Sequence, residues 1–383
     1  MSTQLIDASA CRRAFALRDL TDAASGPHAM QLLVQETLAA FRGRWRCPVV
    51  VHRAPPVVSI EDNYDALGYP NGGAARDARY TRYVTPKRLL RTQTSAMVPK
   101  ALETLALARY DDVLLACPGL TYRRDAIDRV HVGEPHQLDL WRIARRRLDR
   151  ADLEEMIETV AQAMLPDARV RLDPARHPYT VDGLEVHAVS AERDVEILEC
   201  GLAAPGLLEA AGLPAAEYSG LAMGVGLDRM LMLRKGIDDI RALRSADPRI
   251  AAQMQDLAPY RPVSSQPAIE RHLSIAVAAG ASAEELGDRV REAVGPRASS
   301  LETVEVLAET PYAELAEPAR ARLGISARQK NVLLRLVIRD LERTLTSAEA
   351  NALRDEVYGA LHEGRVHAWA ARSDRDAGRR GGP

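Results

Sequence analysis

The sequence predicts an α+β protein with an antiparallel sheet flanked by helices, followed by a second, smaller α+β unit. An apolar run at 112–117 passes through a charged loop into 136–143, where apolar and polar residues alternate as in a strand. A glycine-rich, strand-like segment that begins at Gly220 leads directly into a helix-like segment. Beyond residue 265, strand-like and helix-like segments follow in the order β-α-β-β-α, which is typical of a ferredoxin-like unit.

The individual elements follow from local patterning. Apolar residues recur at helical spacing in three segments, at 26–42, 97–108 and 149–164. Short apolar runs predict strands at 47–51, 170–172, 184–189 and 195–202. A further helix is predicted at 205–211, and Gly212 ends it.

The domain boundaries are predicted from changes in composition. Weak patterning at 1–25 indicates a short N-terminal extension. Proline-bearing, polar sequence at 246–265 indicates a linker, so we assign the first domain to 26–255 and the second to 258–366. The last segment, 371–383, is charged and rich in glycine, which predicts a disordered tail.

Composition excludes several classes of protein. The net charge is −2, so no overall basic field attracts nucleic acid, and any RNA contact must use local arginines. No apolar run reaches the roughly 18 residues of a membrane span, and the N-terminus lacks a signal-peptide pattern. We therefore expect a cytoplasmic protein without a membrane partner. A structural zinc site is not expected, because no CxxC pair exists among the four cysteines Cys11, Cys47, Cys117 and Cys200.

The loop between the two central strands concentrates arginine, aspartate and histidine. Such a hairpin can hold several cations around one polyanion, although a solvated surface hairpin is the simpler alternative. Alternation in the second strand places Gln137 and Asp139 on one face. After Gly224 and Gly226, Arg229 falls in the first turn of a helix, where backbone N–H groups favour anions. A dinucleotide-binding loop is disfavoured, because the third glycine of that motif is missing.

Together these segments resemble the class II aminoacyl-tRNA synthetases, and within them the catalytic chain of phenylalanyl-tRNA synthetase. Segment 122–131 with 136–139 resembles motif 2 of that family, and 220–229, continuing to 241, resembles its motif 3. The tail is similar to the ferredoxin-fold anticodon-binding domain at 260–263 and 343–351. The resemblance covers roughly 26–365 and looks like the single-chain form of the enzyme. Further segments that fit are 63–67, 89–95, 195–201 and 217–220.

The resemblance implies an ATP-dependent and Mg²⁺-dependent ligase that adenylates an amino acid and transfers it to tRNA, as a homodimer or a monomer. Arg123, His131 and Arg229 would be the catalytic residues that hold the phosphates, and Glu196 would be the Mg²⁺ ligand. ATP binding would also involve Glu134 and Gly226. The amino acid would be bound by Gln93, Ser95, Gln137, Asp139, His177, Tyr179, Glu185 and Ala222.

The chain departs from the family mainly in the predicted amino-acid pocket. Gln93 stands where the family usually has histidine, and Asp139 stands where it has glutamate. Its Phe-Pro-Phe element is replaced by the segment His177-Pro-Tyr179, Glu199 replaces a glycine, and Pro135 replaces an aromatic residue that stacks on adenine. A more polar wall disfavours an apolar side chain unless the ligand offers a hydrogen-bonding partner. We therefore expect phenylalanine or a more polar analogue as the substrate.

Two alternatives remain open at this level. The first alternative to this ligase is a paralogue that activates an amino or carboxylic acid for an acceptor other than tRNA. The second is a catalytically silent RNA-binding protein that retains the fold. Exchange of pyrophosphate into ATP with a panel of amino acids distinguishes these possibilities.

Overall fold

The computed structural model describes residues 5–78, 80–189, 194–263 and 266–367. It divides into two units, the first containing 1–123 with 134–261, and the second containing 124–133 with 262–383. The short segment 124–133, which the sequence places in the first domain, therefore groups with the second unit. The predicted disordered tail at 371–383 lies outside the described residues. None of the helices in the described ranges combines the length and the apolar character needed to cross a membrane.

The first unit is built around a mixed sheet. Its α-helices are α1 (Ala8–Ala16), α2 (Ala29–Trp45), α3 (Val98–Ala108), α4 (Arg150–Met164), α5 (Pro205–Ala210), α6 (Leu227–Lys235) and α7 (Pro248–Gln253). Its strands are β1 (Val49–Val51), β2 (Val57–Ser59), β3 (Tyr83–Thr85), β4 (Arg88–Leu90), β5 (Asp112–Leu120), β6 (His136–Ala144), β7 (Arg169–Pro174), β8 (Thr180–Val189), β9 (Asp194–Ala203) and β10 (Ser219–Gly226). The main sheet has the order β1-β5-β6-β10-β9-β8-β7, and β2-β4-β3 form a separate small sheet.

The central hairpin has the predicted antiparallel pairing, since β5 and β6 pair throughout with Cys117 opposite Asp139. Strand β10 pairs antiparallel with both β6 and β9. The expectation of a purely antiparallel sheet is wrong at one edge, where β1 runs parallel to β5. The physical reason is the connection between them, which is long enough to contain α3 and to return the chain in the same direction.

The sequence did not predict several short elements of the first unit. The extension at 1–25 contains α1, and the small sheet of β2, β3 and β4 was not predicted. Each strand of this small sheet has three residues, too few for a period-2 pattern to be recognised. The helix α1 buries little of its surface, because Ala14 is its one buried residue.

Helices cover part of one sheet face and leave the rest uncovered. Residues of α3 and α5, including Leu102 and Leu208, share a buried cluster with Trp141 of β6 and Ala222 of β10. The helices α2, α4 and α6 pack with one another, and α4 and α6 also pack against the sheet. The C-terminal part of β10, beyond Ala222, is therefore where the sheet face opens.

A buried histidine begins α2 and makes the stability of the first unit depend on pH. His28 is 4% exposed, its Nδ1 accepts from the N–H of Met30 at 3.2 Å, and its Nε2 lies 3.0 Å from the carbonyl oxygen of Leu243. These two roles require the neutral imidazole with its proton on Nε2. Burial accordingly lowers the pKa of His28 to about 4.

We expect the His28→Asn variant to have a flatter dependence of stability on pH than the wild type. Neutral His28 stabilises the fold fully above its unfolded pKa of about 6.5. This contribution, about 3 kcal/mol for a shift of this size, is lost as the pH falls from about 6.5 to about 4. Asparagine retains an N-cap acceptor but does not titrate in this range. Urea unfolding at pH 7.5, 6, 5 and 4.5 measures the difference, and parallel curves for both proteins would contradict the assignment.

The second unit contains a separate antiparallel sheet. Its strands are β11 (Ile269–Ala278), β12 (Leu301–Pro311) and β13 (Gln329–Ile338), in the order β11-β13-β12. Its helices are α8 (Ala283–Val294), α9 (Glu317–Leu323) and α10 (Ser347–Leu361), and α9 replaces a predicted loop. Between residues 266 and 367 the sheet has one strand fewer than the ferredoxin-like βαββαβ order.

The segment 124–133 is attached to this sheet by backbone contacts. Ile127 forms an antiparallel bridge with Val304 of β12. Arg291 of α8 donates to the carbonyl oxygens of Asp125 at 2.6 Å and Ala126 at 2.5 Å. A Cβ on Gly287 would lie 2.7 Å from the Asp125 oxygen, so this close approach requires glycine.

Candidate functional site

A row of polar residues crosses the main sheet. Residues that pair directly across neighbouring strands point to the same face. The observed pairs place five residues in one row, in the order Asp139, Gly224, Glu199, Glu185 and Asp173. Carboxylates therefore lie on both sides of a glycine in the centre of the sheet.

Gly224 leaves open space between two of these carboxylates. A Cβ built on Gly224 would meet no heavy atom within 4 Å in the described part of the chain. Two residues earlier in β10, Ala222 is buried among the residues of α3 and α5. The space in front of Gly224 is thus bounded along the strand by packed side chains, and across the strands by Asp139 and Glu199.

Asp139 is 2% exposed and is held by neutral donors. The Oγ1 of Thr94 lies 2.6 Å from its Oδ2, and the Oγ of Ser95 lies 2.8 Å from its Oδ1. The Nε1 of Trp141 also donates to Oδ1, at 3.2 Å. Burial raises the pKa of Asp139 above its ordinary value. A carboxyl group fixed by neutral donors is suited to a ligand that brings its own positive charge, such as an amino group.

Two glutamines extend the same hydrogen-bond network. Gln137 accepts from the backbone N–H of Thr94 at 3.2 Å. Gln93 donates to the carbonyl oxygen of Asn63 at 3.1 Å and accepts from the hydroxyl of Tyr69 at 3.0 Å. These contacts bring together four of the predicted amino-acid-binding residues, namely Gln93, Ser95, Gln137 and Asp139.

Aromatic rings lie beside this network. The ring centroid of Tyr179 is 5.9 Å from that of Trp141, 6.4 Å from that of Tyr69 and 5.9 Å from that of His177. Burial raises the pKa of Tyr69 to about 12, and the negative charge of Glu199 adds to this shift. The rings therefore form a wall close to the carboxylates of the row.

Two histidine–glutamate pairs occupy the next part of the face. The Nε2 of His177 lies 2.8 Å from Oε2 of Glu199, and this hydrogen bond raises the pKa of His177. The Nε2 of His187 lies 2.9 Å from Oε1 of Glu185. The structure thus adds His187 to the residues that the sequence indicated, together with Glu199 as the partner of His177.

The N-terminus of α6 follows the glycine-rich strand directly. Gly226 pairs with Gln137 at the end of β10 and is the N-cap of α6. Arg229 lies in the first helical turn, with its Nη1 3.6 Å from Oε2 of Glu196 and 3.3 Å from the backbone oxygen of Glu196. The predicted phosphate-binding arginine and the predicted metal ligand are therefore neighbours.

A β-bulge explains how Glu196 reaches this position. Val186 pairs with Leu198 but His187 pairs with Glu196, so Ile197 is the extra residue of β9. Glu196 consequently points to the same face as His187.

The side chain of Glu196 is 41% exposed. Within the described ranges, no three His, Cys, Asp or Glu side chains are grouped as a metal site. Mg²⁺ in nucleotide enzymes is commonly held by one or two carboxylates together with substrate phosphates and water. Glu196 fits that mode of binding and does not fit a metal held by protein side chains alone.

The other predicted nucleotide-binding residues have different surroundings. The Nε of Arg123 is buried and makes no hydrogen bond within the described ranges. The carboxylate of Glu134 forms an ion pair with Arg82. His131 belongs to the second unit, where its Nδ1 lies 2.7 Å from Oδ2 of Asp128. Joint phosphate binding by Arg123, His131 and Arg229 stays a prediction.

Patterning did not identify two residues of the network as functional. The hydroxyl of Thr94 donates to Asp139, which is 45 positions away in the chain. Tyr69 lies in a polar segment rich in glycine and proline, and only the fold brings its hydroxyl to Gln93. A polar Thr-Ser pair directly after Gln93 was the one local signal available.

We expect Asp139→Asn to gain stability relative to the wild type as the pH rises. The unfolded carboxyl group titrates near 3.9, whereas burial raises the pKa in the folded state. The wild type therefore loses stability as the pH rises from the unfolded pKa to the folded pKa, and the loss is constant above that window. Asparagine does not titrate. Melting temperatures of both proteins between pH 3.5 and 8 give the difference, which should increase and then level off; a constant difference would contradict this account.

The main sheet, its charged hairpin and the glycine-rich strand that enters a helix define the protein as one of the class II synthetase type. A family model described as "tRNA synthetases class II core domain (F)" matches residues 34–254. The chain therefore belongs to the class II tRNA synthetase family, in the group that contains the phenylalanine–tRNA ligase alpha subunits.

Individual relatives are similar over part of their length. The phenylalanine–tRNA ligase alpha subunit of Prochlorococcus marinus (strain NATL2A) is 33% identical over 203 residues, which cover 53% of this chain and 59% of that protein. The alpha subunit of Bacillus subtilis (strain 168) is 30% identical over 246 residues, with 61% and 70% covered. The chain thus spans 59% of the first of these relatives. A solved pyrrolysyl tRNA synthetase of Desulfitobacterium hafniense has 17% identity and a TM-score of 0.45, covering 61% of this chain and 78% of that one.

Proposed function

We propose that the chain is a phenylalanyl-tRNA synthetase-like ligase that adenylates an amino acid with ATP and transfers it to tRNA. The continuity of β10 and α6 carries this proposal. One strand presents the open space at Gly224 beside Asp139 and, two residues later, the N-cap Gly226 of the helix that bears Arg229. Strand residues rise by about 3.3 Å, so roughly 7 Å separates the two glycines. An amino acid bound at Gly224 would therefore have its carboxylate next to anions at the helix N-terminus.

The amino acid is oriented by the enclosed network around Asp139. Its α-amino group binds the Asp139 carboxylate, which the hydroxyls of Thr94 and Ser95 hold in place. Gln93 and Gln137 lie on the same network and offer amide groups to the ligand. The substrate side chain extends towards Ala222 and the wall that contains His177 and Tyr179.

The reaction joins the amino-acid carboxylate to the α-phosphate of ATP and releases pyrophosphate. The protein takes little part in the covalent chemistry of this step, so positioning and charge neutralisation account for most of the catalysis. Arg123 supplies a buried guanidinium nitrogen without a hydrogen-bond partner in the described ranges, and Arg229 supplies a second cation at the helix N-terminus. Glu134 and Gly226 complete the nucleotide contacts that we propose for the first unit. Mg²⁺ held by Glu196 would neutralise phosphate charge when bound.

We assign tRNA anticodon binding to residues 258–366. The strand–helix–strand order and the antiparallel sheet β11-β13-β12 support this assignment by their similarity to a ferredoxin-like unit. This unit would act after adenylation, by holding the tRNA whose 3′ end accepts the amino acid. A homodimer and a monomer are both compatible with this role.

The proposal is tested with the full chain in two assays. The first is ATP–pyrophosphate exchange with the twenty standard amino acids, and the second is charging of total tRNA with any amino acid that supports exchange. Exchange followed by charging is the expected result. Exchange without charging would indicate another acceptor, and ATP binding without exchange would indicate a catalytically silent protein.

A further inference from the structure

We infer that Glu199 selects an amino acid whose side chain ends in a protonated nitrogen, instead of phenylalanine. This inference deepens the proposed function and rests on it, because the same pocket would hold the substrate. Its basis is the position of Glu199 across Gly224 from Asp139, with open space between the two carboxylates.

Glu199 offers a carboxylate oxygen to a ligand. His177 approaches Oε2 of Glu199 and leaves Oε1 without a partner in the residues that the structure describes. The Glu199 side chain is 43% exposed, so a ligand can reach this oxygen. A carboxylate oxygen accepts hydrogen bonds and cannot donate them, so its partner must be an N–H or O–H group.

Carboxylates outnumber the cationic side chains on this face of the sheet. Five carboxylates lie on this face, together with two imidazoles and two guanidinium groups: Asp139, Asp173, Glu185, Glu196 and Glu199, with His177, His187, Arg171 and Arg229. His177 offsets the charge of Glu199 through Oε2 when its imidazole is protonated, whereas Oε1 would lose water without gaining a partner if a bound apolar side chain covered it. A cationic group on the substrate would instead give Oε1 a charge-assisted hydrogen bond. Asp139 is already assigned to the α-amino group, which leaves Glu199 for a second positive group on the same molecule.

The wall of the pocket is aromatic. The ring of Tyr179 lies beside those of Trp141 and Tyr69, near the two carboxylates. Aromatic rings beside carboxylates favour organic cations, because the ring faces are electronegative and the stem of a basic side chain packs well against them. An apolar ring such as that of phenylalanine would pack against the same wall but would leave Oε1 of Glu199 unsatisfied.

The experiment measures ATP–pyrophosphate exchange by the full chain with L-lysine, L-ornithine and L-arginine against L-phenylalanine, L-tyrosine, L-glutamine and L-norleucine. Norleucine matches lysine in length but lacks the amino group, so it isolates the contribution of the charge. We expect at least one basic amino acid to exceed norleucine and phenylalanine by roughly 10-fold or more in kcat/KM. Glu199→Gln should abolish this preference, and Glu209→Gln on the exposed surface of α5 should retain it.

Preference for phenylalanine, norleucine or a neutral polar amino acid would overturn the inference, as would an unchanged preference in Glu199→Gln. Absence of exchange with every amino acid would instead reject the proposed ligase function. In that case, calorimetric titration of the wild type and Glu199→Gln with lysine and norleucine decides the inference separately. Tighter lysine binding that depends on Glu199 would support it, and equal binding of both ligands would reject it.

Discussion

Replacing Arg229 by alanine is expected to reduce ATP–pyrophosphate exchange by about 100-fold to 1,000-fold, the typical effect of removing one charge-stabilising contact from a transition state. Arg229 lies in the first turn of α6, where helix N–H groups already favour anions. The loss should appear in kcat at saturating ATP if the contact strengthens as pyrophosphate leaves.

The fold should survive this substitution. The described ion pair of Arg229 with Glu196 is partly exposed, and such pairs typically contribute less than about 1 kcal/mol to stability. Arg234→Ala, near the other end of the same helix, is the matched control and should keep full exchange. Arg229→Lys retains the charge but not the planar guanidinium, so we expect an intermediate rate. Wild-type exchange in Arg229→Ala would remove the proposed phosphate contact.

Replacing Gly224 by valine is expected to abolish exchange while leaving the protein folded. The residue is in the middle of a strand and has no positive φ, so a β-branched side chain suits the backbone. Its side chain would enter the space between Asp139 and Glu199, which is the space that the proposed substrate needs. We expect a melting temperature within a few degrees of the wild type and a loss of exchange of at least roughly 100-fold.

Two further variants make this result specific. Gly224→Ala adds less volume and should raise KM more than it lowers kcat. Gly43→Val on the exposed face of α2 is the matched control, because a Cβ there also meets no described atom within 4 Å. Normal exchange in Gly224→Val would show that the substrate does not occupy this part of the sheet.

The local pattern of the sequence predicted the central elements well. The period-2 alternation at 136–143 predicted β6 and placed Gln137 and Asp139 on one face, and both residues do join the same network. The glycines before Arg229 predicted the transition from strand to helix, which the structure shows as β10 followed by α6. Local sequence is sufficient to predict these elements, because the residues whose pattern identifies each element all lie within that element.

Shorter or less regular elements were not predictable in the same way. The three-residue strands β2, β3 and β4 are defined by their partners and not by their own sequences. The parallel pairing of β1 with β5 depends on the path of the chain that connects them. The bulge at Ile197 depends on the pairing of β9 with β8. Pairing of distant segments is a tertiary property, so it overrides local propensity.

The sequence by itself determined the family, the central hairpin, the glycine-led helix and the identity of the polar residues near them. Only the tertiary structure decided that Thr94, Ser95 and Trp141 enclose Asp139, and that Glu199 faces it across the space at Gly224. The physical reason is that alternation along one strand fixes which of its residues share a face. Which strands become neighbours, and in which register, depends on hydrogen bonds between segments that are far apart in the chain.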